Sequence, residues 1–258
     1  MSIIEATPPN LQGQPRVDFN KNNFDALIWN KGYPITLYEA VACPCKGGTT
    51  PLTSCQNCLG LGWVFVNPVR TRGIMSSINY NNQFKYWSPE MKGTAALTVR
   101  DTERLSFMDK VIMDEKFAVM SEVRDVRYSG NQAFIFTSYP VIDINMLFLF
   151  DSASEPLIRL QAGEYSVSAD NPYVIKLNPT GGFATGFNGH VSVDYKHKMQ
   201  YNVVDLPHEL RASVRFDRVT GKKEDFDLPV QAICQKSHYV NGDSPMYSGT
   251  GVQDNSFL

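Results

Sequence analysis

Short alternating runs of apolar and polar residues dominate the chain and predict a mainly β fold. The clearest run is residues 191–195 (VSVDY), in which every second side chain is apolar, the period of a strand with one buried face. Similar β-branched and aromatic runs recur from residue 63 onward, separated by turns rich in Gly, Asn and Asp. Many short strands and turns are typical of a β-sandwich or barrel-like domain, which is the fold class we expect.

One segment near the start has a helical period instead. Phe24, Leu27 and Ile28 are spaced i, i+3, i+4, and Gly32 stands where a helix C-cap is common. The sequence therefore predicts a short N-terminal helix over residues 22–31. Residues 1–16 contain three prolines, which favour an extended arm.

These patterns divide the chain into four parts. Residues 1–32 are predicted to form an N-terminal arm and the short helix, and residues 33–72 a small module around four cysteines. Residues 73–240 are predicted to form the β-rich core domain. Residues 241–258, rich in Gly, Ser and Asn, are predicted to be a C-terminal arm or tail.

Three local predictions accompany this division. Ser129-Gly130-Asn131 has the composition of a hairpin turn. Cys234 lies among apolar residues and is expected to be a small buried side chain. His197 lies between Lys196 and Lys198, and we expect it to be solvated in an exposed basic turn.

Composition excludes several classes of protein. With 43% hydrophobic and 12% aromatic residues and a net charge of −2, the chain is unlike intrinsically disordered sequences. The 24 Lys and Arg do not exceed the 26 Asp and Glu, so binding to nucleic acid by phosphate neutralisation is not favoured. In the most hydrophobic segment, residues 133–150, the longest uninterrupted apolar run is residues 146–150. This is far shorter than the roughly 20 residues that span a bilayer. We expect no membrane association and synthesis in the cytosol.

Four of the five cysteines lie close together in the sequence and carry its strongest chemical signal. They form Cys43-Pro44-Cys45 and Cys55-x-x-Cys58, and the second pair continues into two glycines as C-x-x-C-x-G-x-G. Two pairs of nearby thiolates on one loop suit the tetrahedral coordination of Zn²⁺. Because Cys43, Cys45, Cys55 and Cys58 would leave no open coordination position, the predicted zinc is structural.

Other interpretations of the cysteines remain open. Two disulfides are less favoured in a chain that folds in the cytosol, and a redox C-x-x-C lacks a surrounding βαβ pattern. A nucleic-acid-binding zinc loop would carry several basic residues, whereas only Lys46 is charged between Cys45 and Cys55.

Catalytic motifs give no support to an enzyme. The chain lacks a nucleophile elbow, a Walker A loop and a dinucleotide fingerprint, and His208-Glu209 is not followed by the second histidine of a metalloprotease helix. We therefore assign no catalytic residues and expect a non-enzymatic protein.

The cysteine pattern also carries a resemblance. The segment from residue 24 to Trp63 resembles a module of tailed-bacteriophage head–tail connector proteins. It begins with FDALIWNKGY (residues 24–33) and continues with the Cys-Pro-Cys motif and with C-x-x-C-x-G-x-G. Connector proteins of this kind form neck rings, including stopper-like subunits, that are stacked beneath the portal. Within this group, the segment most resembles the ring proteins of crAss-like phages. Residues 189–195, leading to the D-L-P step at Asp205, add a second likeness.

The resemblance implies a virion structural protein assembled in the host cytoplasm. Such a subunit belongs to a homo-oligomeric ring of about twelve copies that joins capsid to tail and contacts the portal and other neck or tail proteins. DNA passes through the ring without specific binding, and a zinc ion on the four cysteines would stiffen a loop at an interface. The alternatives are another tail component, such as a hub or baseplate adaptor, and a zinc-ribbon nucleic-acid-binding or regulatory protein.

Overall fold

The computed structural model describes residues 21–45, 55, 57–58, 60–77, 93–130, 132–150, 157–178, 189–208, 212–216, 223–227 and 229–241. The predicted arm over residues 1–16 and the predicted tail beyond residue 241 lie outside this part of the chain. Residues 46–54 of the cysteine loop lie outside it as well.

Strands make up most of the described chain, as the sequence predicts. The elements in chain order are α1 (Lys21–Lys31), β1 (Tyr33–Ala42), β2 (Trp63–Ser77), β3 (Thr94–Val99), β4 (Lys110–Asp125), β5 (Arg127–Ser129), β6 (Gln132–Phe136), β7 (Asp143–Phe150), β8 (Ile158–Arg159), β9 (Tyr165–Val167), β10 (Val174–Leu177), β11 (His190–His208), β12 (Ala212–Phe216), β13 (Lys223–Asp227), β14 (Val230–Lys236) and α2 (Ser237–Asn241). The mainly β fold with a short N-terminal helix is thus confirmed.

One part of the large sheet closes on itself. Its strands follow the order β1, β2, β3, β14, β11 and β4, and β4 pairs again with β1. The side chains that point inside are apolar and almost fully buried, among them Ile35, Leu97, Val111 and Val203. Cys234 belongs to this core and is 0% exposed, which confirms its predicted burial.

A sandwich continues from this barrel along the same two long strands. The second half of β4, the first half of β11, and β7 and β8 extend the large sheet. A smaller sheet, in the order β5, β6, β10 and β9, covers one face of that extension. Ile135 and Ile175 from the smaller sheet pack with Leu147, Val191 and Val193 from the larger one. The chain therefore contains both predicted architectures.

A wide bulge in β4 marks the junction between barrel and sandwich. Gln200 of β11 pairs with Ile112, whereas Lys198 pairs with Phe117. Residues 113–116 of β4 thus lie opposite the single residue Met199 of β11. The bulge separates the segment of β4 that pairs with β1 from the segment that lines the sandwich.

The predicted end of the helix at Gly32 and the predicted hairpin turn are both confirmed. The amide of Gly32 donates to the carbonyl of Ile28 over 2.8 Å and ends α1, and Ile28 is fully buried. Ser129 pairs with Gln132 across the predicted hairpin, where Gly130 has a φ of +59°.

The prediction for His197 is wrong. No turn interrupts β11 there, and His197 pairs with Ala118 of β4 and is only 5% exposed. The flanking lysines misled the prediction, because in a strand they point to the opposite face from the histidine.

Strand pairing also links the cysteine module to the core. The boundary predicted at residue 73 lies inside β2, which pairs with β1 and with β3. Across the described ranges, no helix combines the length and apolar character that crossing a membrane requires.

Candidate metal centre

The hairpin formed by β1 and β2 positions the four cysteines. Cys43 directly follows the end of β1, and Ala42 pairs with Trp63 at the start of β2. The amide of Cys43 donates to the carbonyl of Gly62 over 2.9 Å, so the loop is closed at its base. Antiparallel pairing thereby brings the two cysteine pairs to the same place.

The four sulfur atoms form one compact cluster. The Sγ atoms of Cys43 and Cys55 are 3.7 Å apart, and those of Cys45 and Cys58 are 3.4 Å apart. All four lie within 4.8 Å of one another. A tetrahedral site with metal–sulfur bonds of about 2.3 Å places its sulfurs about 3.8 Å apart, so the cluster has the dimensions that such a site needs.

The separations do not correspond to disulfides. A disulfide holds its sulfurs about 2.05 Å apart, and all four cysteines are free thiols. Cys43 and Cys58 are buried, whereas Cys45 and Cys55 are partly exposed. The arrangement therefore offers four soft ligands on one loop. These four cysteines can hold a metal ion.

Backbone amides prepare one of the thiols for metal binding. Hydrogen bonding from the amide of Cys58, aided by that of Asn57 and opposed by burial, lowers the pKa of Cys55 to about 6. The thiolate, which is the metal-binding form, is thus favoured at neutral pH.

The two glycines allow the turn that presents these amides. Gly60 and Gly62 have φ values of +80° and +76°, a left-handed conformation that glycine adopts without steric cost. Between them, the amide of Leu61 donates to the carbonyl of Cys58 over 2.9 Å. The C-x-G-x-G pattern is therefore a backbone requirement of the turn beside the sulfurs.

Comparison with known proteins gives no family. No protein-family model matches the chain, and no curated protein matches it either.

A second group of polar side chains, which the sequence did not reveal, lies buried in the sandwich. Glu122 of β4 accepts hydrogen bonds from the amide of Ser138 over 2.9 Å, the hydroxyl of Tyr195 over 2.9 Å and the guanidinium of Arg124 over 2.7 Å. The side chains of Glu122 and Arg124 are only 7% and 6% exposed. We call this set, extended by Tyr139 below, the Glu122 network.

Tyr139 connects the network to two histidines. The Tyr139 ring stacks on His197 with 4.0 Å between ring centroids, and its hydroxyl lies 2.7 Å from Nδ1 of His238 in α2. The amide of Tyr139 donates to the Tyr195 hydroxyl over 3.1 Å. Burial lowers the pKa of both His197 and His238 and raises the pKa of Tyr139 and Tyr195.

An inverted pattern along β4 is the signal that could have revealed the network. In its second half three of the exposed positions are apolar, with Phe117, Val119 and Val123 at 45%, 61% and 62% exposure. On either side of Val123, Glu122 and Arg124 lie on the buried face. Charged residues two positions apart, on the face opposite a row of exposed apolar residues, indicate paired charges inside.

Proposed function

We propose that the protein is a virion structural protein, a subunit of the head–tail connector ring below the portal of a tailed bacteriophage. In this role it joins capsid to tail and lines the passage for DNA. A zinc ion held by Cys43, Cys45, Cys55 and Cys58 stiffens the end of the β1–β2 hairpin.

The sulfur cluster is the observation that carries the proposal. Four thiols within 4.8 Å of one another fill a tetrahedral shell completely, which is typical of structural zinc and leaves no position for a substrate. The residues that build it, CPC and C-x-x-C-x-G-x-G, are the ones that resemble the connector module.

The exposed apolar face of β4 gives independent support for assembly. Phe117, Val119 and Val123 project from one strand. Beside them, the ammonium of Lys196 of β11 lies 4.4 Å from the centroid of the Phe117 ring. Contiguous exposed apolar side chains of this kind mark protein–protein contacts. A ring subunit needs two complementary faces, and this strand offers one.

The native mass of the full chain, alone and mixed with a portal protein, tests the proposal. We expect closed rings of about twelve subunits that bind the portal and that contain about one zinc per chain. A stable monomer that binds DNA with a steep salt dependence would contradict the ring and favour the regulatory alternative.

Matched substitutions test the β4 face. Val119→Lys places a charge on the proposed contact, and Ile158→Lys places one on β8, where Ile158 is 55% exposed. We expect only Val119→Lys to abolish ring formation. Rings that survive Val119→Lys would remove this face from the interface.

A further inference from the structure

The β1–β2 hairpin continues past the barrel as a two-stranded ribbon. The last pair that joins β1 to β4 is Tyr38 with Lys110, and β2 pairs with β3 only from Ile74 onward. Residues 39–42 of β1 and 63–66 of β2 therefore pair only with each other among the described strands. We call these two segments, which end at the sulfur cluster, the cysteine ribbon.

One face of the cysteine ribbon packs against the start of β4 and the loop before it. The Trp63 ring meets the Phe107 ring edge to face, with 6.1 Å between the ring centroids. On the same face, the ammonium of Lys110 lies 4.3 Å from the centroid of the Phe65 ring. These contacts fix the ribbon relative to the barrel.

The opposite face of the cysteine ribbon is apolar and open. Residues directly paired across antiparallel strands point to the same side of a sheet, and successive residues point to opposite sides. Val41 and its partner Val64 therefore share this face, as do Val66 and Val69 through their partners on β1. Val41 and Val69 are 52% and 47% exposed. We call these four residues the valine face, and exposed apolar groups of this kind mark interaction sites.

The valine face and the exposed apolar face of β4 carry opposite charges. Glu39 pairs with Val66 and so lies on the valine face, where the side-chain amide of Asn67 donates to it over 2.7 Å. Lys196 pairs with Val119 and so lies beside the β4 face. Within the described part of the chain, neither Glu39 nor Lys196 has an ion-pair partner. The two faces are therefore complementary in charge as well as apolar.

Two different complementary faces on one chain suit a head-to-tail contact. Such a contact joins unlike surfaces of successive copies and can close into a ring, whereas a two-fold contact joins a surface to itself. We propose that the valine face of one copy packs on the β4 face of the next copy, with Glu39 beside the neighbour's Lys196. This inference rests on the ring assembly proposed above and names the second of its two faces.

Mixing two blocked variants tests the contact. Val119→Lys disables the β4 face and Val41→Lys disables the valine face, so we expect each variant alone to remain monomeric. Mixed in equal amounts they keep one working contact between them, and native mass spectrometry should show a species of two chains, one of each variant. The control is Ile158→Lys on β8, where Ile158 is 55% exposed, and we expect it to assemble as the wild type does.

Three outcomes would overturn the proposal. Rings that survive Val41→Lys would remove the valine face from the contact, and a mixture without the two-chain species would show that the two faces do not meet. Pairs of like chains formed by Val41→Lys would reveal a two-fold contact instead. The function is tested separately by ring closure and portal binding of the wild type, because the two-chain species needs only the contact.

Charge exchange within the mixed species tests the predicted pair. Adding Glu39→Lys to the Val119→Lys chain, or Lys196→Glu to the Val41→Lys chain, brings like charges together. We expect each to raise the dissociation constant of the two-chain species about tenfold, and both together to restore most of the affinity. Arg159→Glu, which reverses an exposed charge on β8, should change nothing. Losses that add up in the combined variants would show that Glu39 does not meet Lys196 and would overturn the proposal.

Discussion

The sulfur cluster and the Glu122 network are both compact groups of polar side chains, but the chain assembles them in different ways. All four cysteines belong to one hairpin loop, and the paired sulfurs are 12 and 13 residues apart in sequence. The contacts of the network join residues as much as 73 and 99 positions apart. The first depends on a single β-hairpin, and the second exists only when the whole sandwich has folded.

The two groups are therefore held in place by different physical causes. In the loop, local spacing brings the ligands together, and a bound metal would supply the stabilisation that so few apolar side chains cannot. In the sandwich, the surrounding core excludes water, so every buried polar group must find its partner inside the protein. Damage to the loop should therefore remain local, whereas damage to the network should weaken the fold as a whole.

The largest expected effect is the loss of bound metal when one of the four sulfurs is removed. Cys55→Ser leaves three thiolates, and we expect bound metal to fall from about one ion per chain to nearly none. Metal analysis of the purified variant measures this directly. The control is Cys234→Ala, which removes a buried sulfur from the barrel core and is expected to leave the metal content unchanged. Full metal content in Cys55→Ser would show that the four thiols do not act together.

The next largest expected effect is the loss of folding stability when the Glu122 side chain at the centre of the Glu122 network is truncated. Glu122→Ala removes the carboxylate that pairs with the buried guanidinium of Arg124, and breaking a buried ion pair in this way typically destabilises a protein by about 3–5 kcal/mol. The control on the same strand is Asp125→Ala, because the Asp125–His190 pair is 47% and 51% exposed and such pairs contribute only about 0–1 kcal/mol. Urea unfolding measures both, and equal losses would contradict a special role for the buried pair.

The sequence predicted what depends on local pattern and missed what depends on distant contacts. Alternation revealed the strand at residues 191–195, and spacing revealed the four cysteines. The stacking of Tyr139 on His197 could not be predicted, since it requires the turn after β6 to lie over β11. The lysines beside His197 belong to the same strand but to its other face, which is why they suggested an exposed turn.

Removing one hydroxyl from the Glu122 network is expected to cause an intermediate loss of folding stability. Tyr195→Phe deprives Glu122 of one donor and leaves the amide of Tyr139 without its acceptor, so we expect a loss of about 1–3 kcal/mol. In Tyr165→Phe the hydroxyl removed has no hydrogen-bond partner within the described ranges, and the expected change is within about 0.5 kcal/mol. Thermal unfolding distinguishes the two variants, and an equal shift in both would show that the Tyr195 hydroxyl is dispensable.

The smallest expected effect is a dependence of stability on pH. Burial first, and then the charge of Lys236, lowers the pKa of His238 below its ordinary value near 6.5, while Glu122 acts in the opposite direction. Burial likewise lowers the pKa of His197, with His238 and Lys236 adding to the effect and Glu122 and the carbonyl of Lys198 opposing it. The folded protein therefore favours both histidines in their neutral form.

The sign of the effect follows from linkage. Well above pH 6.5 both histidines are neutral in the folded and unfolded chain, and the full stability is present. As the pH falls toward the lowered pKa values, the unfolded chain takes up protons first, so stability is lost. His238→Gln keeps a hydrogen-bonding side chain beside Tyr139 but cannot be protonated, and we expect a shallower decline of the melting temperature between pH 7 and pH 5. A decline as steep as that of the wild type would show that His238 does not couple α2 to the Glu122 network through its charge.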